Sequence, residues 1–163
     1  MYVDIKLTDL ATKLSKELNV SFIPERQSSL AAGHDLRACI EYPVTIYPYV
    51  EVPVTIPTGI HISMEDISGV DDLLFAGFII PRSGLGSKGF RLANTIGCID
   101  MDYQGEILIK ALNGGNMPIV IEPGDRIAQL LFIPCAIANF IAVENFDTVT
   151  ERGENGFNST GMS

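Results

Sequence analysis

Histidine occurs only twice in this chain, at His34 and His61, and cysteine three times, at Cys39, Cys98 and Cys135. Two histidines are too few for a His-based metal cluster. An odd number of scattered cysteines with no CxxC rules against a disulfide framework or a zinc site and fits reduced thiols inside a cell. Charge is sparse, at 19% of residues, and one sign dominates: 11 Lys and Arg against 20 Asp and Glu leave a formal net charge of −9. Such a surface repels nucleic acid, and an anionic small ligand needs local cations or a divalent ion. No basic stretch leads into an apolar run at the N-terminus, so no secretory signal is expected, and a cytoplasmic (or nuclear, or host-cell interior) setting follows. The most apolar window, Ile127 to Val143, is interrupted by Gln129, Pro134 and Asn139, which suits buried strands better than a membrane helix. Internal repeats and domain linkers are also missing, and 163 residues suffice for one domain with its own core.

What is present is apolar residues, 47% of the chain, more than a small monomer usually carries, which points to surface buried between subunits. The chain divides into an N-terminal strand, helix and connector (1–30), a β core (31–149) and a C-terminal arm (150–163). Tyr2 to Leu7 alternates loosely, as a strand does. Over residues 8–19, Leu10, Ala11, Leu14 and Leu18 share one helical face, with Thr8 or Asp9 as N-cap, and predict a packing helix. From Ala31 the pattern is short strands rich in Ile and Val, punctuated by Gly, Pro and Asn. Candidate strands are 35–41, 44–48, 50–56, 58–64, 73–80, 94–100, 106–113, 118–122, 126–133 and 138–145. The fold class is all-β: a sandwich, barrel or jelly roll.

Five stretches carry chemistry. Residues 94–113 read as a hairpin of two strands, 94–100 and 106–113, turning through Tyr103-Gln104-Gly105, with Gly105 supplying a positive φ. Asp100, Asp102 and Tyr103 sit at its mouth. The reading divides between a solvated loop and a site whose backbone groups recognise a planar base. Pro81 to Gly89 is Gly-rich with Arg82 and Lys88, and can turn amides and a guanidinium onto phosphate oxygens, although the Walker spacing is absent. Gly124 to Gln129 and Ala32 to Ala38 each read alone as a turn entering a strand, with a partly exposed ion pair in the first and a solvated acid, Asp35, in the second. The arm has few apolar residues and several Gly and Asn. It is either a frayed tail or a closing lid, whose Arg152, Phe157, Ser159 and Thr160 suit a phosphate and a flat ring.

In order, Ala-Gly-His-Asp-Leu-Arg-Ala, Pro-Arg-Ser-Gly-Leu-Gly-Ser-Lys-Gly, Gly-Cys-Ile-Asp-Met-Asp-Tyr-Gln-Gly-Glu, Gly-Asp-Arg-Ile-Ala-Gln and Arg-Gly-Glu-Asn-Gly-Phe-Asn-Ser-Thr-Gly closely resemble the five motifs of the trimeric dUTPase family. The resemblance implies a distorted jelly roll (a dUTPase-like β-clip), a homotrimer whose C-terminal arm reaches a neighbouring subunit, and Mg²⁺-dependent cleavage of dUTP to dUMP and pyrophosphate. That activity keeps uracil out of DNA and supplies dUMP for dTMP synthesis. By the same resemblance Asp100 would activate water at the α-phosphorus. Uracil would be read by the backbone around Gly97, Cys98, Ile99 and Leu108 and by the Asn94 side chain, with Tyr103 under the deoxyribose and Phe157 over the base. Arg82, Ser83, Gly84 and Gln129 would hold phosphates, joined from the arm by Arg152, Asn158, Ser159 and Thr160. Asp35 and Arg126 would support the site, through Mg²⁺-bound water or structural hydrogen bonds. Mg²⁺ itself would ride mostly on the triphosphate and water.

There are departures. Many relatives carry an extra residue after the Lys88 position. Asn155 and Asn158 stand where glycines are usual, and the 8–19 helix is longer than the family leads one to expect. The nearest alternative enzyme is a dCTP deaminase, alone or bifunctional. It requires a Glu on the return strand where this chain has Lys110. A non-catalytic regulatory protein on the same fold is the other alternative, and the 8–19 segment and Asp66 to Asp72 would offer it partner surfaces.

Overall fold

Strict alternation along Glu106–Asn113 sets the frame of the molecule. Ile107, Ile109, Ala111 and Asn113 point inward and are buried, while Leu108 and Lys110 point out, as the two-residue period of a strand requires. The computed structural model describes residues 2–64 and 73–154. Asp66 to Asp72, Phe157, Asn158, Ser159 and Thr160 lie outside the described residues. Among those described are ten strands and two helices: β1 (Asp4–Leu7), α1 (Asp9–Leu18), β2 (His34–Arg37), β3 (Val44–Ile46), β4 (Val54–Ser63), β5 (Leu73–Pro81), α2 (Ser83–Gly86), β6 (Phe90–Leu92), β7 (Gly97–Ile99), β8 (Glu106–Asn113), β9 (Ile119–Ile121) and β10 (Arg126–Ala136). One sheet has the order β1-β4-β8-β6, a second β2-β10-β5-β7, and β3 pairs with β9 alone. All ladders are antiparallel. Both four-stranded sheets contribute to one core, in which Leu36, Ile56, Ile79, Ile107, Ile127 and Leu130 are almost fully enclosed. This is an all-β, distorted jelly roll.

Several expectations are corrected. The strands expected at 50–56 and 58–64 are one strand, β4. Pro57 sits within it opposite Leu108, and the ladder is disturbed between Pro57 and His61, where a proline's missing N–H is tolerated. The strand expected at 35–41 stops at Arg37 because the chain then crosses between sheets, Ala38 N–H donating to Asp125 O (2.8 Å) and Cys39 N–H to Pro57 O (2.8 Å). β6 was not foreseen. Residues 138–145 form no strand: an extended segment needs a sheet edge, and none of this chain's described strands pairs with it. Phe140 and Ile141 there, and Phe146 just beyond, are 96%, 85% and 88% exposed.

The expected helix is α1. Thr8 Oγ1 caps it by accepting the Ala11 N–H (3.1 Å), and Asn19 closes it in the left-handed region at φ 52°, which asparagine tolerates. Ala11 and Leu14 pack with Phe22 and Cys39 in a satellite cluster. The helix docks on Gly59, whose carbonyl accepts the Thr8 N–H (2.9 Å). Gly59 has φ +73°, and a Cβ there would lie 2.6 Å from both Ala11 Cβ and Cys39 Sγ. Gly59→Ala is therefore expected to destabilise the protein by about 3 kcal/mol, through overpacking and backbone strain together. Urea unfolding measures it.

Candidate active site

The 94–113 segment does not close on itself. β7 pairs with β5, Cys98 opposite Phe78, at the edge of one sheet. β8 lies inside the other, paired with β4 along most of its length and with β6 only over Ala111, Leu112 and Asn113. The expected hairpin is thus a corner between sheets, each arm having found a longer partner strand than its neighbour across the turn. Two rows of main-chain groups are consequently left without a strand partner among the described residues: the outer edge of β7, and the first half of β8 on its β6 side. Unpaired strand edges seek hydrogen bonds, and these two lie on either side of the 100–105 turn in the chain.

The approach to β7 is a turn and not the start of a strand. Thr95 has φ +63° and Ile96 N–H donates to Asn94 O (2.6 Å). A β-branched residue in that region is a strained exception of the kind that collects at functional sites. Asn94, Cys98 and Asp100 are exposed, Ile99 is half-buried and Gly97 is buried against Ile79. Asp100 O accepts the Tyr103 N–H (3.0 Å), and the Tyr103 hydroxyl donates to Glu106 O (2.9 Å). Gly105 has no positive φ. Its lack of a side chain serves another end: a Cβ there would lie 2.5 Å from Tyr103 Cζ, so the ring lies on the glycine. Leu108, 45% exposed, faces outward from β8.

Cys98 Sγ is 3.9 Å from Asp100 Oδ1. Partial burial, then the Asp100 charge, push the thiol above its ordinary value, since both disfavour a thiolate. Alkylation by iodoacetamide at pH 8 is expected to be slow in the native protein and a few-fold faster in Asp100→Asn, about the effect of removing one nearby charge. Equal rates would contradict the coupling.

A second cluster forms around Asp35, which is not the solvated acid expected. Its side chain is 3% exposed and is met by Arg82 Nε (3.1 Å), Arg126 Nη1 (3.3 Å) and Gln129 Nε2 (3.2 Å). Arg126 therefore pairs with Asp35 rather than forming the exposed turn pair expected of 124–129. A buried carboxylate is tolerated only when its oxygens are satisfied, and here both are. Arg82 precedes α2, so the expected Gly-rich loop is a helical turn: Leu85 N–H and Gly86 N–H both donate to Arg82 O. The first amides, at Ser83 and Gly84, have no carbonyl ahead of them within the turn. Arg37 was overlooked. It donates to Ser21 O (2.9 Å) and Gly124 O (2.7 Å). Arg37, Arg82, Lys88 and Arg126 line a cavity of about 580 Å³ beside α2, a cationic hollow on an anionic protein.

No hydrogen bond or ion pair joins the Asp35 cluster to the β7–β8 corner among the described residues, and β5 lies between β10 and β7. Arg152 lies on the exposed terminal segment. No group of three or more His, Cys, Asp or Glu suited to a metal occurs among the described residues, nor is any described helix long and apolar enough to cross a membrane.

The family model for dUTPase matches residues 20–161. Deoxyuridine 5'-triphosphate nucleotidohydrolase of Paraburkholderia phymatum is 40% identical over 99% of this chain and 99% of its own. The protein of that name from Klebsiella pneumoniae is 44% identical over 85% of this chain and 86% of its own. Among solved structures, Staphylococcus bacteriophage 80alpha dUTPase with dUPNHPP superposes with a TM-score of 0.78 at 25% identity, over 99% of both chains. A phage phi11 dUTPase variant, in which the coordination of a structural Mg(II) ion is described, shares the fold at 20% identity and a TM-score of 0.69, over 91% of this chain and 100% of its own. With a family match spanning all five motifs and close relatives along its full length, the chain belongs to the dUTPase family.

Proposed function

We propose that the protein hydrolyses dUTP to dUMP and pyrophosphate, with the base held at the corner where β7 and β8 part into different sheets. The observation that carries this reading is the divergence of those strands into different sheets, which leaves main-chain groups of both without a strand partner on either side of the turn that begins at Asp100. Peptide groups at fixed spacing recognise the uracil edge, as the Asn94 amide does. They reject cytosine, whose amine meets a donor, and thymine, whose methyl has no room. The Tyr103 ring, laid on Gly105, is the floor under the deoxyribose and leaves no space for a 2′-hydroxyl.

Asp100, exposed at the corner, takes a proton from a water as its oxygen attacks the α-phosphorus. The α-phosphorus bond to the bridging oxygen breaks, and pyrophosphate leaves with that oxygen. Arg82, Ser83, Gly84 and Gln129 bind the phosphates, and Asp35 and Arg126 hold Arg82 and Gln129 in place. Arg152, Asn158, Ser159, Thr160 and Phe157 close over the nucleotide from the arm. Bound Mg²⁺ supplies neutralisation of the triphosphate charge. The donor set fits an ion carried by the substrate: Asp35 already has three protein partners, which leaves it at most an outer, water-mediated role.

The functional unit is a homotrimer. Support comes from the separation of the two clusters within one chain and from the exposed apolar residues after Ala136, a surface of the sort subunits cover. Light scattering is expected to give three times 17.7 kDa, and a chain ending at Ala136 is expected to stay monomeric. Three free cysteines support a reducing cell interior.

The direct test is a nucleotide panel with Mg²⁺, assayed for pyrophosphate and ammonia. Pyrophosphate from dUTP alone is expected. Comparable release from UTP or dTTP, or ammonia from dCTP, overturns the assignment.

A further inference from the structure

The turn that carries Tyr103 is held from outside by His61. The ladders place His61 on β4, opposite Lys6 of β1 on one side and Glu106 of β8 on the other. Its Nδ1 lies 3.0 Å from the Gln104 carbonyl oxygen. A carbonyl only accepts, so Nδ1 carries the proton in this contact, as the neutral Nδ1–H tautomer and the imidazolium both allow. Tyr103's own hydrogen bonds, from its amide to Asp100 O and from its hydroxyl to Glu106 O, stay within residues 100–106 and travel with the turn. Among the described residues, the bond from His61 is the one side-chain hydrogen bond that reaches residues 101–105 from another strand, beside the β4–β8 ladder that starts at the pair His61–Glu106.

Space makes that bond matter. A cavity of about 300 Å³ lies beside the turn, lined among others by Lys6, His61, Ser63 and Gln104. The turn therefore has room to shift once it is released. Tyr103 is 41% exposed, so packing alone does not pin its ring. A 2′-hydroxyl differs from hydrogen by one oxygen, and a ring rejects it only if held to within about 0.5 Å.

We propose that His61 is a positioning residue for sugar selectivity: by fixing Gln104 it keeps the Tyr103 ring where a ribose cannot fit. This rests on the reading of Tyr103 as the deoxyribose floor, and the experiment separates the two. Values of kcat/KM for dUTP and UTP are measured for the native protein and for His61→Ala, His61→Phe, His61→Asn and Tyr103→Ala, with thermal melts alongside. His61→Ala is expected to reduce the preference for dUTP about tenfold, chiefly through KM, the scale on which loss of a positioning contact acts. His61→Phe, which keeps the ring but not the donor, should match it. His61→Asn places an amide N–H near the former Nδ1 and should restore the preference. If Tyr103→Ala loses selectivity while both donorless variants keep it, or lose activity equally on both nucleotides, His61 is only structural and the proposal fails. If Tyr103→Ala keeps selectivity, the Tyr103 reading fails and takes the proposal with it.

Discussion

Asp100→Asn is expected to lower kcat for dUTP by about 10³-fold, within the range assigned to a lost general base, while nucleotide binding and fold persist. Asp100 is exposed, and among the described residues its side chain receives only the long Cys98 hydrogen bond at 3.9 Å. No core packing depends on it, so melting temperature should hardly change. Asparagine keeps the size and one acceptor but cannot take the water's proton. If the reading is right, KM moves little and the deficit sits in kcat, the signature of an interaction used in the transition state. A variant retaining a third of native kcat would remove Asp100 from the chemistry.

Asp35→Asn should fail differently. The carboxylate is 3% exposed, whereas its partners Arg82 and Arg126 are 31% and 34% exposed. Removing the buried partner leaves two guanidiniums beside a neutral amide. Because each can partly rehydrate, the cost should fall near the lower end for broken buried pairs, about 3 kcal/mol. Arg82 would then lose its anchor while remaining able to meet phosphate. KM for dUTP should therefore rise about tenfold, with a smaller fall in kcat, since one charge-assisted contact is mispositioned rather than deleted. Chemical unfolding and steady-state kinetics on the same preparation check both halves. An unchanged KM beside a large stability loss would make Asp35 a folding residue alone.

These two residues also mark what the sequence could and could not disclose. α1 was legible because its determinants are local: a threonine cap, apolar residues at helical spacing and an asparagine able to close the helix. β8 was legible because alternation is a local signal too. The partners of β7 and β8 were not, since a turn between two strands says nothing of whether a third strand offers either a better ladder. Asp35 looked solvated because Arg82, Arg126 and Gln129 are 47, 91 and 94 residues away in sequence, a distance only the β2–β10 pairing and the start of α2 abolish. The strand expected at 138–145 has the composition of one, yet pairing also needs an edge, and edges are a property of the assembled sheets. The resemblance assigned the site residues motif by motif. It did not reveal that, within one chain, Asp35, Arg82, Arg126 and Gln129 cluster apart from β7, with β5 between β10 and β7.

The central claim, that main-chain groups of β7 and β8 recognise the base, is tested most directly by a crystal structure with a non-hydrolysable α,β-imido analogue of dUTP. The expected result is uracil seated between the two strands, within hydrogen-bond distance of peptide groups at Cys98, Ile99 and Leu108. A water held by Asp100 should stand in line with the α-phosphorus. A base bound elsewhere, or gripped only by side chains while those peptide groups face solvent, would contradict it.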